Sequence, residues 1–324
     1  MKAAFIERHG PPETIRYADL PMPALPPGHA LVRVNAVAVN QVDTYIRRGV
    51  VRSPTPFPFI VGRDLTGVVE AVSPDVQALQ LGDRVWSFCL GIDGLQGTFA
   101  EYALAPADRL YPLPSGCDPV ETAAALHSGL AAVIALYEKA RLEPGEIIFV
   151  RGGSGNVGAA VTQIAAACGA RVAATAGDAE KAAWCRACGA ELVIDYRSQD
   201  ETDALHAFAP DGVDIYVDTT RAFDLERALN ALARRGRIVV LAGLDQRCSL
   251  PVGPFYLRNA ALLGFTVTGT SVEEYARHAR RINGWLRRGA LRARINRVLP
   301  LAEATEAHRL VESDIWGKVA LIPS

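Results

Sequence analysis

No stretch of the 324-residue chain reads as the ~20 consecutive apolar residues that a bilayer-crossing helix needs. The opening Met1-Lys2-Ala3-Ala4-Phe5-Ile6-Glu7-Arg8 alternates like a strand and lacks an apolar signal core, so a cytoplasmic location with no membrane partner is expected. An excess of either charge is also missing. The 34 Lys and Arg nearly balance the 35 Asp and Glu, leaving a formal net charge of -1. That balance argues against a polyanion binder, and no nucleic-acid partner is expected. Cysteines are few and scattered: Cys89, Cys117, Cys168, Cys185, Cys188 and Cys248. Only Cys185 and Cys188 make a Cys-x-x-Cys, and no second pair completes a four-ligand zinc set. They fall in an alanine-rich helical pattern over 179–187, where buried thiols account for them better than a redox pair. Internal repeats and low-complexity tracts are absent.

What is present is enough apolar sequence for a sizeable core and enough length for two domains. Up to about residue 120, short alternating segments (30–39, 64–72, 84–88) are separated by Pro- and Gly-rich connections at 21–28, 53–58 and 81–83, which predicts a β-rich domain. The texture then changes. A helical stretch over 120–140 precedes strands at 147–151, 171–175, 191–194, 213–217, 237–241 and 261–266. Helical patterns at 156–168, 179–187, 201–208 and 223–233 separate most of them. Six apolar strands in regular alternation with helices predict a doubly wound parallel sheet of the Rossmann type, an α/β fold. A helix at 272–288, a strand at 295–299, a helix at 302–312 and a final strand at 319–322 do not continue that count. This tail is expected to return to the first domain. The expected boundaries are 1–122, 123–266 and 267–324.

The first strand of the alternating region runs into Gly152-Gly153-Ser154-Gly155-Asn156-Val157-Gly158 and then an alanine-rich helix. Gly153, Gly155 and Gly158 form a Gly-x-Gly-x-x-Gly set in the context of strand, turn and helix. In the expected division of labour Gly153 permits the tight turn and Gly155 lets the backbone approach a pyrophosphate. Gly158 then allows helix and strand to pack closely.

Further segments join this turn. They are Val39-Asn40-Gln41-Val42-Asp43-Thr44-Tyr45-Ile46-Arg47-Arg48-Gly49, Gly62-Arg63-Asp64-Leu65-Thr66-Gly67-Val68-Val69, Gly82-Asp83-Arg84-Val85, Gly97-Thr98-Phe99-Ala100-Glu101-Tyr102 and Gly317-Lys318-Val319. With them the chain resembles the medium-chain dehydrogenase/reductase superfamily, and within it the zeta-crystallin-like quinone oxidoreductases. The resemblance implies a GroES-like catalytic domain built from the first 120 residues and the last 60, enclosing a Rossmann cofactor domain, with the acceptor between them. Zinc-dependent members hold their metal through three residues that match Asn40, Arg63 and, nearby, His127. An arginine is electrostatically wrong at a cation site and one imidazole cannot hold a catalytic zinc, so a metal-free protein is expected.

The strand after the glycine turn ends Ala174-Thr175-Ala176-Gly177 without a carboxylate at its tip, although Asp178 follows at once. Gly177, Lys181 and Tyr196 match residues that surround the 2′-phosphate of NADPH in the quinone oxidoreductases. Arg197 adds a cation, and NADPH is therefore expected over NADH. The resemblance adds Ser154, Asn156 and Val157 in the turn, Leu241, Ala242 and Gly243 after the fifth strand, Phe265, Thr266 and Val267 beside the nicotinamide, and Lys318. For the acceptor the candidates are Asn40 and Tyr45, as hydrogen-bonding groups, and Arg63. Tyr45 could also donate a proton. Arg63 would supply positive charge if it faces the acceptor; the other reading braces it on Asp64 or Asp43. The implied activity is NADPH-dependent quinone reduction. An alternative is reduction of activated C=C bonds in an enone, haloacrylate or enoyl thioester, and a third reading is a non-catalytic NADPH-binding protein. The apolar sixth strand at the sheet edge implies a homodimer.

Overall fold

The computed structural model describes residues 1–51 and 53–323. Alternating apolar residues build strands β1 (Lys2–Ile6), β2 (Arg16–Asp19), β3 (His29–Val39), β4 (Phe59–Ile60), β5 (Leu65–Val72), β6 (Arg84–Ser87), β7 (Tyr102–Pro106) and β8 (Tyr111–Pro112). The short helix α1 (Gln41–Arg47) follows β3, and α2 (Pro119–Val133) follows β8. The alternating region then supplies β9 (Ile147–Arg151), α3 (Asn156–Ala167), β10 (Arg171–Ala176), α4 (Ala179–Ala187), β11 (Leu192–Asp195) and α5 (Glu201–Phe208). It continues through β12 (Val213–Asp218), α6 (Leu225–Ala231), β13 (Leu232–Val240), α7 (Val252–Leu257) and β14 (Ala261–Gly264). The tail forms α8 (Val272–Arg287), β15 (Ile295–Pro300), α9 (Ala304–Glu312) and β16 (Lys318–Ile322).

Two units result: Met1–His127 with Thr270–Ser324, and Ser128–Gly269. The second carries one parallel six-stranded sheet in the order β11-β10-β9-β12-β13-β14. The chain starts in the middle and winds outward in both directions, so the strand order reverses between β9 and β12. Ligands of such sheets bind beyond the carboxyl ends of the strands at this switch point. Phe149, Ala173, Tyr216 and Ile238 are buried, as a sheet covered on both faces requires.

In the first unit the larger sheet runs β15-β16-β3-β5-β6-β8, with β7 also pairing with β3. Its core gathers Val37, Val39, Leu65, Phe99, Val319 and Leu321. The tail enters this sheet through β16, antiparallel to β3 with Val319 opposite Val39. That register sets Lys318 beside Asn40.

Several elements differ from the sequence reading. The expected helix over 120–140 changes at Val133 to π-helical winding (Ile134–Ala140), which ends at a left-handed Arg141, φ 51°. The combined segment, Pro119–Ala140, is long and apolar enough by composition to cross a bilayer, contrary to the reading of the hydropathy. In the most apolar window 78% of it is buried within the protein, as in a core helix. The strand-like alternation at the amino terminus is β1, but its partner β2 and the helix α7 were not expected, being too short to show a period. The sixth strand stops at Gly264, which leaves residues 265–267 beyond the sheet.

Candidate active site

In the second unit the glycine turn divides its labour differently from the expectation. The left-handed residue is Gly152 (φ +81°), and its N–H donates to Thr175 Oγ1 at 2.9 Å. Gly153 is demanded by packing instead, since a Cβ there would stand 2.6 Å from the Ala174 Cβ on β10. At Gly158 a Cβ would fall 2.2 Å from the Gly152 carbonyl oxygen, so the helix can approach the turn only without a side chain. At Gly155 a Cβ would stand 3.3 Å from the Gly152 carbonyl oxygen, a tight contact but far less severe than at Gly153 or Gly158.

Gly155 is also the N-cap of α3, and no side chain caps that helix. Its neighbours are treated otherwise. Asp178 accepts from the Lys181 N–H at the start of α4, Asp200 from Thr202 and Asp203 at α5, and Asp224 from Arg227 at α6. The first-turn N–H groups of α3 therefore have no carboxylate cap, in the one helix that follows the glycine turn. Unpaired donors and the positive end of the helix dipole suit a phosphate there.

The remaining cofactor candidates line up at the carboxyl ends of neighbouring strands: Gly177 after β10, Tyr196 and Arg197 after β11, Leu241 to Gly243 after β13, and Phe265 to Val267 after β14. The Tyr196 hydroxyl lies over Gly177, and the Arg197 guanidinium stands 5.9 Å from the Tyr196 ring centre. Lys181 pairs with Asp178 at 3.0 Å. The acid nearest the ribose position is thus both capping α4 and paired with a lysine. Hydrogen bonding to Lys181 through backbone and side chain holds the Asp178 carboxyl below its ordinary range. Ser154, Asn156 and Val157 complete the turn.

Lys318 is the exception among the cofactor candidates. It belongs to the first unit, is 3% exposed, and its Nζ donates to Asn40 Oδ1. Asn40 Nδ2 in turn donates to Asp64 Oδ2 at 2.8 Å, and the Asn40 backbone N–H donates to Asp43 Oδ2 at 2.7 Å. Both ends of the Asn40 amide are therefore spent inside the protein. The expected hydrogen bond from Asn40 to an acceptor oxygen would have to displace one of these.

Arg63 is wholly buried, and its three guanidinium nitrogens have no hydrogen-bond acceptor among the described residues. The bracing ion pair with Asp64 or Asp43 is not formed. The Cys89 thiol is a polar neighbour, and Asp43 and Asp64 compensate the charge through space. His127 is half-buried alongside, with its Nδ1 enclosed and unpartnered among the described residues. Burial, then the Lys318 and Arg63 charges, hold its imidazole well below the ordinary range, so it is neutral. Tyr45 is half-buried on α1, and its hydroxyl has no protein partner among the described residues.

Two cations and two carboxylates thus share one buried cluster. Burial, and then the neighbouring Asp64, push Asp43 up from 3.8 to about 7. Burial also raises Asp64, against the pull of Lys318, Asn40 and Arg63. A carboxyl with a raised folded pKa binds its proton more tightly folded than unfolded. Stability therefore falls as pH rises from about 4 to about 7. Asp43→Asn keeps an oxygen for the Asn40 N–H and removes this titration. Denaturant unfolding at pH 5 and pH 7.5 should show a smaller decline for the variant than for the parent; equal declines would refute the assignment.

The sequence reading named most members of this cluster, but as an acceptor site and a lost metal site, not as one charge network. It missed Cys89 and Tyr275, which pack beside Arg63 with no local motif to mark them.

A sheet wound outward from a glycine turn, with a phosphate-ready helix behind it, defines a dinucleotide-binding enzyme unit. Comparison with known proteins carries the assignment further. Residues 26–115 match the alcohol dehydrogenase GroES-like domain family and residues 156–283 the zinc-binding dehydrogenase family. The chain is 32% identical to the quinone oxidoreductase of Sus scrofa over 95% of its length and 93% of the relative's. It is 26% identical to a 2-haloacrylate reductase of Burkholderia over 99% and 98%. Among solved structures, an NAD-dependent alcohol dehydrogenase superposes with a TM-score of 0.90 at 31% identity, covering 100% of both chains. The Escherichia coli quinone oxidoreductase complexed with NADPH does so at 0.87 and 26%, again over 100% of both. The chain belongs to the medium-chain dehydrogenase/reductase superfamily, among its quinone oxidoreductase-like members, and is an oxidoreductase.

One matching family is described by zinc, and the donor set here does not suit it. The positions that would hold the metal present an amide, a guanidinium and a single imidazole, with the Lys318 ammonium beside them. A cation brought there would meet two fixed positive charges.

Proposed function

We propose that the protein is an NADPH-dependent quinone oxidoreductase. The α3 amino terminus, left without a side-chain cap behind the glycine turn, is the observation that carries the cofactor reading. NADPH over NADH is supported by the cations Lys181, in the first turn of α4, and Arg197, just after β11, and by the engagement of Asp178 with Lys181. Bound NADPH supplies the hydride. The protein's own part is to bind, orient and balance charge.

The first-turn N–H groups of α3 hold the pyrophosphate, and Lys181, Tyr196 and Arg197 hold the 2′-phosphate. Arg63 carries a buried positive charge with no carboxylate in direct contact, and so favours an oxygen on which negative charge develops. Tyr45, with a free hydroxyl, donates the proton. Asn40 holds Lys318 and Asp64 together in this scheme.

Reduction of an activated C=C bond is the second reading, favoured by the full-length similarity to a 2-haloacrylate reductase. Both chemistries deliver a hydride to a conjugated acceptor. Cofactor titration and steady-state turnover with NADPH and NADH, run against a quinone panel and an enone panel, test the assignment. Quinone turnover with a preference for NADPH is expected. Fast enone reduction with no quinone reduced would replace the first reading with the second, and tight NADPH binding without turnover of any acceptor would leave a non-catalytic binding protein.

A further inference from the structure

The balance of charge over the whole chain conceals a strong local imbalance. Between residues 275 and 300 stand eight arginines (277, 280, 281, 287, 288, 292, 294 and 297) and no aspartate or glutamate. Helix α8 sorts them. Tyr275, His278, Ala279, Ile282, Asn283 and Leu286 face inward and are buried, while Arg280, Arg287 and Arg288 are exposed. Arg280 and Arg287 are two turns apart, and the stretch from Arg277 to Arg288 runs ~16 Å along the axis. Gly284, between them, has nothing above it, so the stripe is not interrupted by a side chain.

Glu273 and Glu274 open the helix, and Glu274 reaches Arg277 at 3.6 Å. Asp108 stands in the short turn Ala107–Arg109, which packs on α8 and also brings Arg109. Among the described residues no carboxylate is paired with Arg280, Arg287, Arg288 or Arg297.

We propose that this face of α8, with the segment leading into β15, is an electrostatic docking surface for an anionic lipid bilayer. The cations are all arginine, whose planar fork pairs two N–H groups with phosphodiester oxygens. They lie on the outside of a helix, which can meet a flat layer of headgroups along its length. A single-stranded nucleic acid would be the other phosphate source, but it calls for exposed rings on which bases stack. The rings here are covered: Trp285 is 8% exposed with the Arg288 guanidinium 5.5 Å from its ring centre, and Arg294 lies 3.8 Å from that of Trp316. With no exposed apolar wedge on the helix, attachment would be electrostatic, reversible and sensitive to salt. Its use rests on the quinone reading, because apolar quinones dissolve in bilayers and an enzyme held at the surface meets them there.

Vesicle co-sedimentation tests the surface without any turnover, so an error in the acceptor reading would not disturb it. Vesicles of phosphatidylcholine mixed with phosphatidylglycerol should bind the protein at low salt, and vesicles of phosphatidylcholine alone should not. Raising salt to about 0.5 M, where the Debye length shrinks below ~5 Å, should release it. The triple variant Arg280→Glu, Arg287→Glu, Arg288→Glu should partition at least ~100-fold more weakly, from roughly a factor of five for each charge lost near an anionic surface. Its turnover with a water-soluble acceptor should be unchanged. The matching triple change to Lys, which keeps the charge, should retain most of the binding. No binding of the parent to the mixed vesicles would overturn the proposal, as would equal binding by the Glu variant. Tight binding of a labelled single-stranded oligonucleotide with none to vesicles would overturn it too, and would reassign the face to nucleic acid.

Discussion

Lys318→Met is expected to destabilise the first unit by about 3–5 kcal/mol, the usual cost of removing one partner from a buried charge pair. The residue is 3% exposed, and its ammonium hydrogen-bonds Asn40, which in turn holds Asp64. Methionine fills much the same volume, so little of the loss would come from a cavity. The loss would come from leaving Asp43 and Asp64 with Arg63 alone as a compensating cation. Burial lowers the Lys318 pKa, and Asp64 and Asp43 oppose that shift. Denaturant unfolding of the parent and of Lys318→Met reads the difference directly. A loss under ~1 kcal/mol, the range of an exposed pair, would show that the cluster is solvated and that its charges are not coupled.

The second large effect concerns the glycine turn. Gly155→Asp should weaken NADPH binding by at least ~100-fold, because it places a carboxylate where the phosphate would accept the α3 amide hydrogens. The same substitution should change stability little, the gain of an N-cap offsetting a Cβ that stands 3.3 Å from the Gly152 oxygen. Gly155 has extended backbone angles (φ -72°, ψ 167°) that aspartate adopts freely, and aspartate is a strong N-cap. The separation of the two readouts is what makes the substitution informative. Gly158→Ala is its counterpart: with a Cβ 2.2 Å from a backbone oxygen, it should disturb the fold and binding together. Cofactor titration and thermal unfolding on the same samples check both. Undiminished NADPH binding by Gly155→Asp would remove the turn as the phosphate site.

These outcomes follow from features that were legible in the sequence to very different degrees. The cofactor unit was readable because each of its parts is local. A strand, a glycine turn and an alanine helix are contiguous, and β–α alternation with apolar strands leaves few ways to close a parallel sheet. Even so, Gly153 was assigned the tight turn when Gly152 has the left-handed backbone, because glycine spacing alone does not show which residue turns and which is pressed by a neighbour. Lys318 was placed with the cofactor on resemblance, and it belongs instead to the charge cluster. The eight arginines were visible as letters, but a net charge of -1 averaged them away. Only helical burial shows that several of them share an outer face.

By itself, then, the amino-acid sequence determined the two-part organisation, the dinucleotide fingerprint and the absence of a plausible zinc ligand set. These depend on short-range backbone geometry and on the chemistry of single side chains. The tertiary structure alone decided that Asn40 and Lys318, 278 residues apart, form a hydrogen bond, and that Asp43, Asp64 and Arg63 share one water-poor enclosure with them. The physical reason is the register of β16 against β3. Pairing Val319 with Val39 brings a lysine to an amide beside two carboxylates, and burial then makes each charge depend on all the others.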